Sequence, residues 1–144
     1  MDYDPDLIAR LLQDCRIIAV VGMSARPDRA SHEVAHYLQG EGYRIVPVNP
    51  AYAGQDILGE RCFATLTEAA AALKEQGLHI DIVDCFRKPE TLDPIVDEAI
   101  AIRARCVWMQ LGVVNEAAAA KAKEAGLQVV MDRCMKIEHL HMET

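Results

Sequence analysis

A chain of 144 residues, 51% hydrophobic and 26% charged, has a globular composition and can bury about two-thirds of its unfolded surface without disulfide or metal staples. Its net charge of −7 argues against a general nucleic-acid surface, and no apolar run reaches the ~20 residues of a membrane span. Five widely spaced cysteines with no C-x-x-C pair, and an acidic start without the basic region of a signal peptide, point to reduced thiols in the cytoplasm rather than a disulfide framework or zinc ribbon.

Residues 4–14 carry Leu7, Ile8, Leu11 and Leu12 at helical spacing, with Asp4 as a cap and Pro5 in the first turn. Residues 17–21 are an unbroken apolar run, as expected of a strand covered on both faces. Gly22 ends that run. Ser31 reads as the N-cap of a helix over 31–40 whose inner side carries Val34, Tyr37 and Leu38. A second strand at 43–48 leaves through Pro47 and Pro50, which stiffen its exit. Residues 51–63 look irregular, with Gly54 and Gly59 as turn signals. An alanine-rich helix at 67–76, capped by Thr67, precedes a third strand at 80–85 and a loop at 86–89. The next helix starts at Glu90 or Thr91 and runs to Ala104, with Pro94 in its first turns. A fourth strand at 106–111 leads to Gly112, and Asn115 caps a helix that ends at Gly126. A fifth strand at 127–131 and a tail of one or two helical turns complete the pattern.

Strands alternating with helices predict an α/β fold: a three-layer sandwich around a five-stranded parallel sheet of order 3-2-1-4-5, in one domain over residues 1–144. A ligand crevice is expected beside the first strand, where the order reverses. The strand exits at 22–31, 47–50, 86–88 and 110–115 should meet there.

The first exit is the most informative. A dinucleotide site would show G-x-G-x-x-G after the first strand and an acidic residue after the second. Only Gly22 matches, and the second strand ends in Val48, Asn49 and Pro50. Ser24, Arg26, Arg29 and Ser31 instead put hydroxyls and guanidinium groups beside a helix start, a setting suited to several phosphates. Phe86 could stack on an adenine, Arg87 could meet a phosphate, and Gln110 and Gly112 bring an amide and a close-approach glycine to the same crevice; simple burial is the alternative for Phe86. His32-Glu33-x-x-His36 matches the zinc-protease pattern, which needs a third ligand, for which Glu138, His139 and His141 are candidates. Cys85 and Cys134 lie near strand ends but lack an evident histidine partner, Asp81 and Asp84 read as structural, and Trp108 reads as core.

Taken together, Val21-Gly-x-Ser24, Pro27-x-Arg29, the run from Gly42 to Pro50, Leu58-Gly59, Phe86-Arg87, Trp108-x-Gln110-x-Gly112-Val-x-Asn115-Glu116 and Asp132-Arg-Cys134 resemble the small stand-alone CoA-binding domain family. That family is similar to the nucleotide-binding domain of the succinyl-CoA synthetase alpha subunit, and the likeness runs from about Cys15 to Glu138. It implies a Rossmann-like fold that binds coenzyme A. Gly22, Ser24, Arg29 and Ser31 would hold phosphates; Val48, Asn49 and Pro50 would border adenine or ribose; Phe86 and Arg87 would close the pocket; Gln110 and Gly112 would follow the pantetheine arm. Synthetases use a phosphorylated histidine on a further domain, so ligase activity does not carry over, and no catalytic residue is assigned.

The resulting expectation is a cytoplasmic protein that binds CoA or acyl-CoA without catalysis of its own, with no nucleic-acid or membrane partner. The alternatives are a nicotinamide-linked oxidoreductase, a metal-dependent hydrolase using His32-Glu33-x-x-His36, and an interaction or regulatory module whose bound nucleotide is a signal.

Overall fold

The five apolar runs become the strands of one parallel sheet: β1 (Ile17–Val21), β2 (Arg44–Val48), β5 (Ile82–Cys85), β6 (Cys106–Met109) and β7 (Gln128–Val130). The computed structural model describes residues 3–143. Between the strands lie α1 (Pro5–Asp14), α2 (Ala30–Gly40), α3 (Leu66–Glu75), α4 (Leu92–Ala101), α5 (Glu116–Glu124) and α6 (Met135–Glu143). No helix among the described residues is long and apolar enough to cross a membrane.

The spatial order is β2-β1-β5-β6-β7. Outside β2, Phe63 forms a single parallel bridge with Val48, with its N–H on the Pro47 carbonyl at 3.0 Å. Counting that bridge as the third place gives the expected 3-2-1-4-5 pattern, with β7 as one strand more. The run read from sequence as the third strand, β5, therefore stands in the fourth place and pairs with β1, not β2. The chain reverses direction across β1 at this step, and a right-handed crossover that reverses direction changes face. Hence α3, α4 and α5 share one face, packed on Val21, Val83, Val107 and Met109. Ile18, Val20, Ile82 and Trp108 face the other way, toward α1, α2 and α6. Trp108 is fully buried, and its indole N–H donates to the Arg133 carbonyl at 2.9 Å.

Local chemistry explains the helix starts. Asp4 accepts from the Leu7 N–H at 3.0 Å, with Pro5 in the first turn. Thr65, not Thr67, caps α3 by accepting from the Glu68 N–H at 3.1 Å. Thr67 lies inside the helix, and its hydroxyl ties α3 to Glu98 of α4 at 2.7 Å. The helix expected from Glu90 or Thr91 is shorter: a 3-10 turn over Pro89–Thr91 comes first, then α4, which accommodates Pro94 in its first turn because that residue's N–H would lack a partner there anyway. Asn115 caps α5 through the Ala118 N–H at 2.9 Å and donates to the Pro89 carbonyl at 2.8 Å. Asn115→Ala is expected to destabilise the fold by about 1–2 kcal/mol, since a cap and a tie between two strand-exit loops go together; urea denaturation measures it.

The stretch read as irregular holds a small antiparallel hairpin, β3 (Asp56–Ile57) and β4 (Glu60–Arg61). Leu58 and Gly59 turn it with φ of 54° and 78°, the left-handed pair that suits a two-residue hairpin loop. Leucine is a poor residue there, but its carbonyl is held by the Gln39 side-chain amide at 2.9 Å.

Candidate functional site

At the switch point between β1 and β5 the backbones nearly touch. Gly22 has φ of 89°, and a Cβ placed on it would stand 2.4 Å from the Phe86 carbonyl oxygen. Its N–H bonds the Val48 carbonyl at 2.8 Å, while the Phe86 N–H bonds the Val21 carbonyl at 2.8 Å. The exits of β1, β2 and β5 are thus stitched together by main chain.

Asn49 joins the same three exits through its side chain. It donates to the Met23 carbonyl at 3.0 Å, accepts from the Ala51 N–H at 3.0 Å, and lies 3.4 Å from an Arg87 guanidinium nitrogen. Pro50 then opens a 3-10 turn, Pro50–Tyr52. A cleft of about 240 Å³ opens here, walled by Val48, Pro50, Leu66, Arg87 and Ile95. A larger hollow of about 600 Å³ between α1 and the β7 edge contains none of the predicted site residues.

The β1–α2 loop is internally braced. Ser31 is not the N-cap: α2 begins at Ala30, Arg29 occupies the cap position, and no side chain caps the helix. Ser31 is buried in the first turn, where its hydroxyl accepts the Ser24 N–H at 2.9 Å. Ser24 in turn accepts the Arg26 N–H at 3.0 Å. Arg26 pairs with Asp28 at 3.5 Å, both largely exposed, so the pair adds little stability. Arg29 is exposed at the positive end of the helix dipole, a place where a cation is disfavoured unless an anion offsets it.

The β6 exit behaves differently from the expectation. Gln110 is 3% exposed, and its amide nitrogen turns inward to Asp84 at 2.8 Å. Strand alternation sets this, because Trp108 and Gln110 share the face that Asp84 occupies on β5. Gly112 remains at the surface with φ of 87°, its N–H held by Asp132 at 2.7 Å. Phe86 is half-buried against the α2 side of the core.

Asp84 is the residue that the sequence reading undervalued. It is fully buried, one oxygen accepts from Gln110, and the other has no hydrogen-bond partner among the described residues. Burial pushes its carboxyl up to about 8, with the Gln110 hydrogen bond pulling the other way. The signal was present: an acid inside an apolar run, two residues from Ile82 and so on the same buried face. Asp81 has the structural role expected of it, accepting the N–H groups of Arg16 and Ile17 at 3.0 Å each.

The other chemistries are not assembled. His32 and His36 have ring centroids 6.4 Å apart, but Glu33 bonds Lys136 at 3.0 Å. Glu138 accepts from Tyr3 at 2.8 Å and His139 meets the Tyr37 hydroxyl at 2.7 Å. Among the described residues no group of three or more His, Cys, Asp or Glu is placed to hold a metal ion. Cys85 is fully buried with its thiol pushed far above the usual range by desolvation, the opposite of an activated nucleophile. Cys134 is half-buried.

Comparisons with known proteins bear on the family and the fold. The family profile described as a CoA binding domain matches residues 16–140. The uncharacterized protein YneT of Bacillus subtilis (strain 168) is 42% identical over 132 residues, covering 92% of this chain and 91% of that one. A hypothetical protein from Pyrococcus horikoshii OT3 superposes with a TM-score of 0.87 at 34% identity, covering 99% of this chain and 94% of the other. A Rex-family repressor solved with NADH shares the fold alone, at 15% identity and a TM-score of 0.58, with 96% of this chain and 63% of the repressor covered. The profile match takes in every strand of the main sheet and every exit loop at the switch point, and by it the chain belongs to the CoA binding domain family.

Proposed function

We propose that the protein binds coenzyme A or an acyl-CoA at the switch point. Family membership supplies the ligand class. The observation in the molecule that carries the reading is the uncapped start of α2, with Arg26 and Arg29 beside it, at the strand exits where the order of the sheet reverses. On a chain of net charge −7, two arginines at the positive end of a helix make sense as partners for the pyrophosphate and the 3′-phosphate. Gly22, Ser24 and Ser31 shape the loop, and Val48, Asn49, Pro50, Phe86 and Arg87 border the base. Gln110 and Gly112 lie on the pantetheine side.

The reading further takes the protein as a cytoplasmic binding protein whose occupancy is its output, not an enzyme. The inert setting of Cys85 and the separate engagements of Glu33, Glu138 and His139 support it. A nicotinamide ligand is disfavoured by Asn49, which stands where a ribose-binding acid would be.

Isothermal titration tests the proposal. CoA is expected to bind with one site per chain, and Arg29→Ala to weaken it by roughly tenfold to a hundredfold through a lost charge-assisted contact. Affinity for NADH in place of CoA would overturn the reading, and an unchanged affinity in Arg29→Ala would remove that residue from the site.

A further inference from the structure

A carboxyl in the middle of a central parallel strand is a standing cost that the fold does not need. Asp84 is flanked in register by Val20 on β1 and Trp108 on β6, is 0% exposed, and keeps one oxygen without a hydrogen-bond partner among the described residues. Its hydrogen-bond partner among the described residues is Gln110, whose backbone N–H reaches the Cys85 carbonyl at 3.3 Å and so fixes the residue at the β5–β6 exit. We propose that Asp84 and Gln110 form a proton-gated recognition pair under the crevice: a neutral Asp84 lets the Gln110 amide turn either its N–H or its carbonyl toward the ligand, whereas an ionised Asp84 holds the amide nitrogen inward and leaves a buried negative charge beneath a polyphosphate. This rests on the CoA reading above and adds the regulation of that same site.

The chemistry follows from the donor inventory. A neutral carboxyl can donate to the amide oxygen or accept from the amide nitrogen; a carboxylate can only accept. The neutral form therefore permits both amide orientations and the ionised form one. Asp84 acts through Gln110 and is a positioning residue.

The titratable groups around the pair lie on the sheet and on the three helices of that face. On the sheet they are the thiols of Cys85 and Cys106, both held protonated by burial. The helices on that face carry Asp6, Arg10 and Asp14 on α1, His32, Glu33, His36 and Tyr37 on α2, and Lys136, Glu138, His139 and His141 on α6. None of them is among the causes of the shift at Asp84, which are burial and the Gln110 hydrogen bond.

The test is titration with desulfo-CoA, which has no thiol to ionise, between pH 7 and pH 9, above the range of ordinary imidazoles and phosphate monoesters. With the carboxyl titrating at about 8, the neutral fraction falls about tenfold across this window, so the affinity of the natural protein is expected to fall by about tenfold. In Asp84→Asn, a permanently neutral isostere, the affinity is expected to stay level; in Gln110→Leu it is expected to be weaker at pH 7 than in the natural protein and to lose most of its slope. Binding that is equally tight at both ends of the window in the natural protein, or an unaltered slope in both variants, overturns the gate and leaves the CoA reading standing. No binding at any pH overturns both.

Discussion

Gly22→Ala is expected to cost the fold roughly 2–5 kcal/mol and to abolish tight CoA binding. Two penalties add. A non-glycine residue at a φ of 89° pays about 1–2 kcal/mol for the left-handed backbone. The new methyl would also stand 2.4 Å from the Phe86 carbonyl oxygen, and that neighbour is main chain of a central strand, not a side chain free to swing away. Relief requires β1 and β5 to part at their exits, at a further cost of about 1–3 kcal/mol typical of overpacking. The sheet would open where the Phe86 N–H bonds the Val21 carbonyl. Urea denaturation measures the stability loss; a variant within ~0.5 kcal/mol of the natural protein would show that the two strand exits are not locked together.

The same position shows what a sequence can reveal about such a molecule. Gly22 after an apolar run, Asp4 before Pro5 and Asn115 before an alanine-rich stretch are local signals, and each acts in the structure as its neighbours suggest. Signals one step less local slip. Ser31 and Thr67 are good capping types, yet Arg29 and Thr65 occupy the cap positions, because helix boundaries are set by packing and not by the best available hydroxyl. The place of β5 in the sheet was beyond local reading: nothing within that run says on which side of β1 it pairs, and the answer depends on α3 burying Leu66, Ala69 and Leu73 on the α4 side. The β3–β4 hairpin has two residues per strand, too short for any periodicity. In the site, the exits of β1, β2 and β5 meet because neighbouring parallel strands end at the same edge of the sheet and their main chains bond one another there. Gln110 departs from its expected path because its parity with Trp108 turns its amide toward Asp84.

Asp84 gives the second large effect. Its carboxyl is held at about 8 in the folded protein by burial, against roughly 3.9 in an unfolded chain, so folding takes up a proton between those values. The sign follows: the contribution is fully present below about pH 4 and is lost as pH rises, by about 1.4 kcal/mol per pH unit, levelling off above about pH 8. At neutral pH the natural protein therefore carries a penalty of a few kcal/mol from keeping this acid neutral inside the sheet. Asp84→Asn keeps the shape and a hydrogen bond to Gln110 while removing the proton linkage. The variant is expected to be more stable than the natural protein at pH 7 to 8, by an amount that shrinks toward zero as the pH falls to about 4. Thermal melts of both proteins across that range isolate the effect, since every other titrating group is common to the two and cancels in the difference. A stability difference independent of pH would mean that Asp84 is ionised in the folded protein, paired with a group that the unpartnered oxygen has yet to meet, and the proton gate would then lose its basis.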